Sequence, residues 1–298
     1  MSKRAIRYAV IDAFTKEAFK GNPAAVCFLE ENSDIDKHWI QSVVQEFNAP
    51  AAAFVSPVIS AIGTNGQEES SGIARFNIRW FAHCGAEVPI CGHATLATAH
   101  FLFSSDLAEQ DTIEFVSKWG LLLARKIIRP TFKEETFTVE LDFPVDPVVR
   151  CDVNELPCIP LTLNGVPIIN VMKTTACGDL IVELPSSKDV AKLQPNFMEI
   201  KECAGRCVAV TGPAPDGCRF DFFTRFFCPK LGVDEDQVCD SIHCALVPYW
   251  SEKLKKKSLT SYMASQRSGV LHLELDEESQ RVRISGEAVT VMVGTILV

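Results

Sequence analysis

The sequence lacks the marks of a membrane, disulfide-stapled or zinc-binding protein. No apolar run approaches the roughly 18 residues of a membrane-spanning helix, although 47% of the 298 residues are hydrophobic. The twelve cysteines are scattered and form no Cys-x-x-Cys pair, and Cys203 and Cys207 have no second pair nearby. We therefore expect no metal site, and thiols that pack as small core residues in a reducing compartment.

Positive charge is also scarce. The formal net charge is −9, and the one dense basic run, residues 253–257, is typical of a solvated helix end. Nucleic acid is therefore not an expected partner. The first residues pass from a short basic tip directly into an apolar strand pattern, without the apolar core and cleavage site of a secretory signal. We expect a cytoplasmic protein with no membrane partner.

The chain does contain alternating helix and strand patterns along its whole length. Ser33 is placed to cap a helix that ends near Phe47. Apolar or alternating segments predict strands at residues 8–14, 24–29, 52–55, 74–81, 113–116, 121–128 and 136–143. The proline-containing stretch 144–147 is the best candidate for a linker. A chain of this length can form one sizeable core or two lobes.

The second half of the chain repeats a pattern of the first half. Arg79-Trp80-Phe81, Glu87 and Cys91-Gly92-His93 precede an apolar helix at 94–102, and Arg225-Phe226-Phe227, Glu235 and Cys239-Asp240-Ser241 precede another at 242–250. The matching Glu and Cys positions lie 148 residues apart. A period of this length predicts a duplicated domain rather than a solenoid. We expect Arg79 and Arg225 to form ion pairs that brace each copy.

Each copy of the repeat places a cysteine and a short polar segment at the start of a helix. Unpaired N–H groups and the helix dipole favour anions there and lower the pKa of a thiol. Two such helix starts facing each other would hold a carboxylate or stabilise an enolate, with a proton donor or acceptor on either side. That arrangement suits proton transfer at a carbon next to a carboxylate.

Specific motifs cover nearly the whole chain, at residues 12–14, 19–27, 46–48, 87–97, 221–236 and 286–295. Together they resemble the PhzF (phenazine-biosynthesis-like) family, and its plant members in particular. The resemblance implies the α+β class and a diaminopimelate epimerase-like fold, in which two pseudo-symmetric lobes each wrap a β-sheet around a central helix. On this basis the first lobe spans residues 1–143, is completed by a C-terminal strand at about 286–298, and the second lobe spans 149–285.

The resemblance also implies a function. Family members isomerise a small carboxylic acid by moving a proton between carbon atoms, without a metal or an organic cofactor, and homodimers are common among them. His93 is implied as a site residue, with Gly92 at the same helix start. Asp236 is implied as a second site residue, and Ser241 as an anion-binding backbone position.

Three departures from the family pattern lie near the predicted site. The position of the family's general base, a Glu, holds Ala51, which cannot take a proton, and the intact Glu46 lies a helical turn or more earlier. Asp240 replaces a family Gly and would disfavour a substrate carboxylate by roughly 1–4 kcal/mol at effective dielectrics of about 80 to 20. His83 replaces a family Pro and brings an imidazole close to the site. The ordinary alternatives are a helix cap for Asp240 and an exposed loop histidine for His83.

The two repeated cysteines leave an alternative open. Related amino-acid epimerases use two facing cysteines at these helix starts as acid and base, but we favour the interpretation of Cys91 and Cys239 as passive small core residues. We predict an isomerase, or a related lyase or cyclase, with an acid/base set rebuilt from His83, His93, Asp236, Asp240 and these cysteines. The alternatives are a catalytically silent protein that binds a ligand or a partner, and an unrelated enzymatic use of the fold.

Overall fold

The computed structural model describes residues 5–30, 36–58, 73–130, 135–151, 163 and 165–297. The described part contains eighteen strands and five α-helices. The strands are β1 (Ala5–Ala13), β2 (Asn22–Phe28), β3 (Ala51–Pro57), β4 (Ala74–Ala82), β5 (Glu87–Val88), β6 (Thr112–Ser117), β7 (Gly120–Pro130), β8 (Glu135–Pro144), β9 (Val148–Arg150), β10 (Asn170–Thr174), β11 (Leu180–Glu183), β12 (Val208–Pro213), β13 (Phe222–Cys228), β14 (Val233–Asp236), β15 (Ser258–Met263), β16 (Gly269–Asp276), β17 (Arg281–Gly286) and β18 (Ala288–Leu297). The helices are α1 (Lys37–Phe47), α2 (Gly92–Ser104), α3 (Ser187–Lys192), α4 (Phe197–Glu202) and α5 (His243–Leu254).

The chain divides into two compact units. The first comprises Met1–Asp142 and Ser285–Val298, and the second comprises Phe143–Ile284. Strand ladders with mostly antiparallel pairs, interrupted by a few helices, confirm the predicted α+β class. In the described part of the chain, no helix is long and apolar enough to cross a membrane.

The first unit is built around α2. Strand β1 pairs antiparallel with both β2 and β18, and β3 runs parallel to β2 and antiparallel to β4. Strand β4 then pairs antiparallel with β5 and parallel with β6, which continues into β7 and β8. Eleven of the thirteen residues of α2 are buried, because the helix is apolar on every face. It therefore contacts the inner faces of β1, β2 and β3 as the unit's central helix.

The second unit buries most of α5, including five consecutive residues at its start. Trp250 on this helix stacks on Phe222 of β13 with ring centroids 5.3 Å apart. Its indole N–H donates a hydrogen bond to Oγ1 of Thr211 at 3.0 Å, so the polar atom of a fully buried ring is satisfied. The helix also contacts β15 and β16.

A proline inside α5 is accommodated by the segment that enters the second unit. Pro248 has no N–H, which would leave the carbonyl of Cys244 without its helical partner. The N–H of Asp146 donates to this carbonyl at 3.1 Å, and the N–H of Val145 donates to the carbonyl of Gln280 at 3.0 Å. The predicted linker is therefore hydrogen-bonded into the second unit.

The order and direction of the strands repeat between the two units. From β2 to β3 to β4 to β5 the pairings are parallel, antiparallel and antiparallel, and they are the same from β11 to β12 to β13 to β14. Strand β4 then pairs parallel with β6, as β13 does with β15. The register repeats too, because Phe81 lies opposite Glu87 and Phe227 lies opposite Glu235. The sequence repeat is thus a structural repeat.

Both expected ion pairs are confirmed. Arg79 donates through Nε and Nη2 to the two carboxylate oxygens of Glu87 at 3.0 and 3.2 Å. Arg225 donates through the same two nitrogens to Glu235 at 2.7 and 2.8 Å. This bidentate geometry is the strongest that an arginine and a carboxylate form, and it ties the third and fourth strands of each repeat together.

The predicted cap of the first helix is wrong. Ser33 lies outside the described residues, and α1 begins at Lys37 with Asp36 as its N-cap. The carboxylate of Asp36 accepts a hydrogen bond from the N–H of His38 at 3.2 Å. Aspartate caps a helix as well as serine does, so the residue type alone did not distinguish the two positions.

Candidate active site

The first predicted site segment lies at the start of α2. Cys91 is the N-cap, in extended conformation, and its side chain makes no capping hydrogen bond. Its Sγ lies 3.4 Å from Nδ1 of His93. Gly92, the first helical residue, adds no side chain between them. Thr95 Oγ1 donates to the carbonyl of Cys91 at 2.8 Å and holds this turn in place.

The imidazole of His93 is neutral under ordinary conditions. The side chain is 7% exposed, and burial lowers the pKa of His93 to about 4. It therefore carries one ring N–H and one free lone pair at pH 7. The first helix start thus combines a thiol and an uncharged imidazole.

The second predicted site segment lies between β14 and α5. Asp236 is the last residue of β14 and is half-buried. Cys239 is 4% exposed, and its pKa is raised well above the usual value by burial and by the charges of Asp236 and Asp240. Its Sγ lies 3.4 Å from the Oγ of the exposed Ser241. Cys239 is therefore a buried thiol rather than a reactive thiolate.

Asp240 is the most unusual group of this segment. It is 5% exposed, and its Oδ1 accepts a hydrogen bond from the N–H of Ser241 at 2.9 Å. Its Oδ2 is buried and has no hydrogen-bond partner among the described residues. Burial, and then the charge of Asp236, raise the pKa of Asp240 to about 7. The carboxyl group can therefore both give and take a proton near neutral pH.

Asp240 is not the cap of α5. The N-cap is Ile242, whose side chain makes no capping hydrogen bond. Asp240 lies two residues earlier, and its carbonyl accepts a hydrogen bond from the N–H of His243 at 2.9 Å. Its carboxylate already accepts a hydrogen bond from the backbone N–H of Ser241. The chain itself therefore supplies the anion for this N–H group.

The position of the missing base lies at the start of β3. Ala51 is buried between Ala24 of β2 and Ala82 of β4. The N–H of His83 donates to the carbonyl of Pro50 at 3.2 Å, which places His83 beside Ala51, with its imidazole exposed. Glu46 is exposed on α1. Of the candidate bases near this position, only His83 is fixed next to it by a backbone contact.

Sequence reasoning missed the role of His243. The residue is fully buried, and its Nδ1 donates to the carbonyl of Cys239 at 2.8 Å. A carbonyl only accepts, so Nε2 is the unprotonated nitrogen and accepts from the hydroxyl of Ser261 at 2.9 Å. Burial lowers the pKa of His243 to about 4, which matches a neutral ring. The signal in the sequence was its spacing, four residues after the cysteine, as Thr95 follows Cys91.

Gln237 anchors a neighbouring loop. Its Oε1 accepts a hydrogen bond from the N–H of Arg267 at 3.1 Å. Its main-chain carbonyl accepts from Oγ of Ser265 at 2.6 Å. The side-chain amide and the main-chain carbonyl of Gln237 therefore hold residues 265–267 next to the site segment.

The structure brings the predicted residues together within each unit. Cys91 lies with His93 in the first unit, and Cys239 and Ser241 lie with the two aspartates in the second. In the described ranges, no group of three or more His, Cys, Asp and Glu side chains has the arrangement of a metal site. Two surface cavities of about 530 and 430 Å³ lie at the C-terminal end of α5 and contain none of the predicted site residues.

Comparison with known proteins identifies relatives along the whole length. The family described as "Phenazine biosynthesis-like protein" matches residues 11–294. An uncharacterized isomerase of Halalkalibacterium halodurans is 36% identical, with 97% of each chain covered. The phenazine biosynthesis-like domain-containing protein 2 of Mus musculus is 35% identical over 96% of this chain and 97% of that protein.

Solved structures give the same result for the fold. A phenazine biosynthesis protein of the PhzF family from Enterococcus faecalis superposes with a TM-score of 0.82 at 32% identity, over 99% of this chain and 100% of that one. A hydroxyproline epimerase from Agrobacterium vitis superposes with a TM-score of 0.56 at 11% identity, over 100% of this chain and 92% of that one. The second likeness concerns the fold alone and agrees with the predicted epimerase-like architecture.

Proposed function

The chain belongs to the family of phenazine biosynthesis-like proteins, and we propose that it is an isomerase that moves a proton between carbon atoms of a small, carboxylate-bearing metabolite. A bacterial relative that spans nearly the whole chain is named an isomerase, which supports this reaction class. We also propose that the two compact units are the two epimerase-like lobes.

One observation carries the proposal: corresponding helix starts in the two repeats hold groups suited to proton transfer. At α2 the thiol of Cys91 lies 3.4 Å from the neutral imidazole of His93. Before α5 the carboxyl group of Asp240 has a pKa of about 7. A catalytic group works best when its pKa lies near the working pH, and carboxyl groups reach that range through burial and a neighbouring charge.

The proposed acid/base set differs from that of the family. Ala51 offers no proton acceptor, so the inherited base is lost. We assign the proton transfer to Asp240, with Asp236 as the charge that raises its pKa. His93 is assigned a hydrogen-bonding role, because its lowered pKa makes it a weak proton acceptor at pH 7. His83, fixed beside Ala51, is the second candidate base.

We propose that the start of α2 binds the carboxylate of the metabolite. Helix N-termini bind anions through their first N–H groups, and the side chain of the N-cap Cys91 does not use them. The absence of a side chain at Gly92 leaves the backbone open to close approach.

A second function, binding without catalysis, is favoured by one observation. The methyl group of Ala51 is buried where the family carries its base. The double substitution Ala51→Glu with Asp240→Gly tests whether the inherited site can be rebuilt in this chain. If the rest of that site is intact, the variant gains proton exchange on family-type acids. If the variant folds and gains no exchange, the inherited site has been lost elsewhere.

The experiment that tests the proposal is solvent deuterium incorporation. The protein is incubated in D₂O with small carboxylic acids that it binds, and mass spectrometry follows their deuterium content. We expect incorporation whose rate changes around pH 7 and which Asp240→Asn suppresses. The control Glu46→Gln, on the exposed face of α1, should leave the rate unchanged. Tight binding of an acid with no incorporation at any pH would overturn the proposal.

The proposal includes three further statements, on cofactors, location and oligomeric state. We propose that the reaction uses side chains alone, with no metal or organic cofactor, and that the protein works in the cytoplasm as a homodimer. Light scattering after size-exclusion chromatography tests the dimer, since a mass of one 32.9 kDa chain would contradict it. Activity that survives extensive treatment with chelator supports a reaction without a metal.

A further inference from the structure

In the turn before α5, the carboxylate of Asp240 occupies the position where an external anion would bind. The N–H of Ser241 donates to Oδ1 of Asp240 at 2.9 Å. This N–H lies one residue before the N-cap Ile242, where backbone N–H groups would otherwise be available to an anion. A ligand carboxylate would therefore have to displace Asp240.

The second oxygen of the same carboxyl group, Oδ2, still needs a hydrogen-bond donor. Oδ2 of Asp240 is buried, and no hydrogen-bond donor among the described residues reaches it. Asp240 as a whole is only 5% exposed. A buried polar atom without a partner costs about 1–3 kcal/mol, and more when it is charged. The site therefore needs a donor that the described chain does not supply.

The charges around Asp240 decide which kind of donor fits. Asp236 at the end of β14 adds negative charge, and the thiols of Cys239 and Cys244 interact with the same carboxyl group. Within the described part of the chain, Asp240 takes part in no ion pair. A neutral hydroxyl would satisfy Oδ2 but would leave the repulsion between the two carboxylates in place. A cationic donor removes both costs.

We infer that this turn binds the ammonium group of a small amine-bearing ligand, with Oδ2 of Asp240 as its acceptor. The inference rests on the proposed function for the statement that this ligand is the substrate. It assigns to Asp240 a second role, that of the residue that selects an amine over a second carboxylate. The corresponding position in the first unit is Gly92, which has no side chain to make such a selection.

The test uses methylammonium chloride and sodium acetate as probes, at matched ionic strength with sodium chloride as reference. The protein is labelled with ¹³C at the aspartate carboxyl carbon, and the resonance of Asp240 is assigned by its loss in Asp240→Asn. Methylammonium favours the charged carboxylate, so we expect it to lower the pKa of Asp240. A shift of about one unit at saturation corresponds to tenfold tighter binding to the ionised form. Acetate should leave the pKa unchanged or raise it.

A second variant keeps the test independent of that resonance. Asp240→Gly frees the N–H of Ser241 and removes the acceptor. We expect it to lose methylammonium binding, measured as ligand line broadening, and to gain acetate binding of about tenfold or more, the effect of one hydrogen bond to a charged group. Thermal unfolding of the variant checks that it is folded.

The outcomes separate this inference from the proposed function. No response of Asp240 to methylammonium, whatever acetate does, overturns the inference. So does wild-type binding of acetate that Asp240→Gly weakens. Methylammonium binding at Asp240 together with no deuterium incorporation into any bound acid would uphold the inference and contradict the isomerase. Deuterium incorporation into acids without an amine, together with no response of Asp240 to methylammonium, would support the isomerase and overturn the inference.

Discussion

The starts of α2 and α5 occupy corresponding places in a repeated frame, yet they offer different chemistry to a ligand. At α2 the groups are a half-buried thiol, a glycine and a neutral imidazole. Before α5 they are a buried thiol, a carboxyl group with a pKa of about 7 and a hydroxyl group. The frame that holds both turns is the same, down to the carbonyl of each cysteine, which accepts from the side chain four residues later.

The difference teaches which contacts a duplicated fold retains. The Arg–Glu pair and the carbonyl contact are internal to each repeat, and a change in one partner removes a hydrogen bond from the other. The residue directly after each cysteine has no contact of this kind to preserve. Gly92 and Asp240 can therefore differ while the strands and helices around them keep the same order and register.

The largest effect should come from removing the acid at the second helix start. Asp240→Asn keeps the shape and the acceptor for the N–H of Ser241 but cannot exchange a proton. We expect deuterium incorporation to fall by about 100- to 10,000-fold, the usual contribution of a general acid or base. His93→Gln, the matched change at the first start, should reduce the rate much less. Equal losses in the two variants would break the assignment of proton transfer to Asp240.

The repeated ion pairs differ in burial, and this predicts the next largest effect. The side chain of Arg225 is 10% exposed, and it also donates to the carbonyl of Leu193 at 2.5 Å, whereas that of Arg79 is 43% exposed. Arg225→Ala should lower the free energy of unfolding by about 3–5 kcal/mol, because the carboxylate of Glu235, only 12% exposed, is left without its partner. Arg79→Ala should cost about 1 kcal/mol or less. Denaturant unfolding of both variants measures the contrast, and similar costs would contradict it.

The dependence of stability on pH should distinguish the two starts. The pKa of Asp240, about 7, lies above its unfolded value of about 3.9. The folded protein therefore binds the extra proton between these values, and stability from this group falls as pH rises through that window. The buried imidazole of His93 acts in the opposite direction, because its pKa of about 4 lies below the unfolded value, so its contribution is lost as pH falls.

Asp240→Asn should therefore gain stability relative to the wild type between about pH 4 and pH 7, by roughly 1–4 kcal/mol. Asn adds an unpaired buried amide, which gives an offset that does not depend on pH, so the slope is the measured quantity. Unfolding free energies at several pH values provide it. A difference that stays constant with pH would show that Asp240 has an ordinary pKa.

The smallest contrast concerns the side chains that hold the two cysteine carbonyls. His243→Ala removes hydrogen bonds to the carbonyl of Cys239 and the hydroxyl of Ser261, and we expect a loss of about 2–3 kcal/mol. Thr95→Val removes one hydrogen bond and keeps the shape, and should cost about 1 kcal/mol. Thermal unfolding measures both. A larger loss for Thr95→Val would mean that the first turn depends more on this contact than the second.

The frame could be predicted from the sequence, because local patterns determine it. The order Arg, Glu, Cys occurs in both halves of the chain, with the same spacing between Glu and Cys. This repeat predicted both ion pairs and both helices. The epimerase-like fold is confirmed by solved relatives. The assignment to a plant-type member stays a prediction.

The chemistry of the second start could not be predicted in the same way. The raised pKa of Asp240 depends on desolvation and on Asp236, which are properties of packing rather than of spacing. The repulsion expected between Asp240 and a carboxylate assumed a fully charged group with free backbone N–H groups beside it. In the structure the N–H of Ser241 is already used. The role of His243 was missed because its partner Ser261 lies on strand β15, eighteen residues further along the chain.

The most direct test of the account is a crystal structure of the protein with the acid that it binds most tightly in a screen of amino and non-amino carboxylic acids. The account predicts a nitrogen of the ligand within hydrogen-bond distance of Oδ2 of Asp240, while Oδ1 keeps its bond to the N–H of Ser241. A ligand carboxylate bonded to the N–H of Ser241, with the side chain of Asp240 turned away, would contradict it.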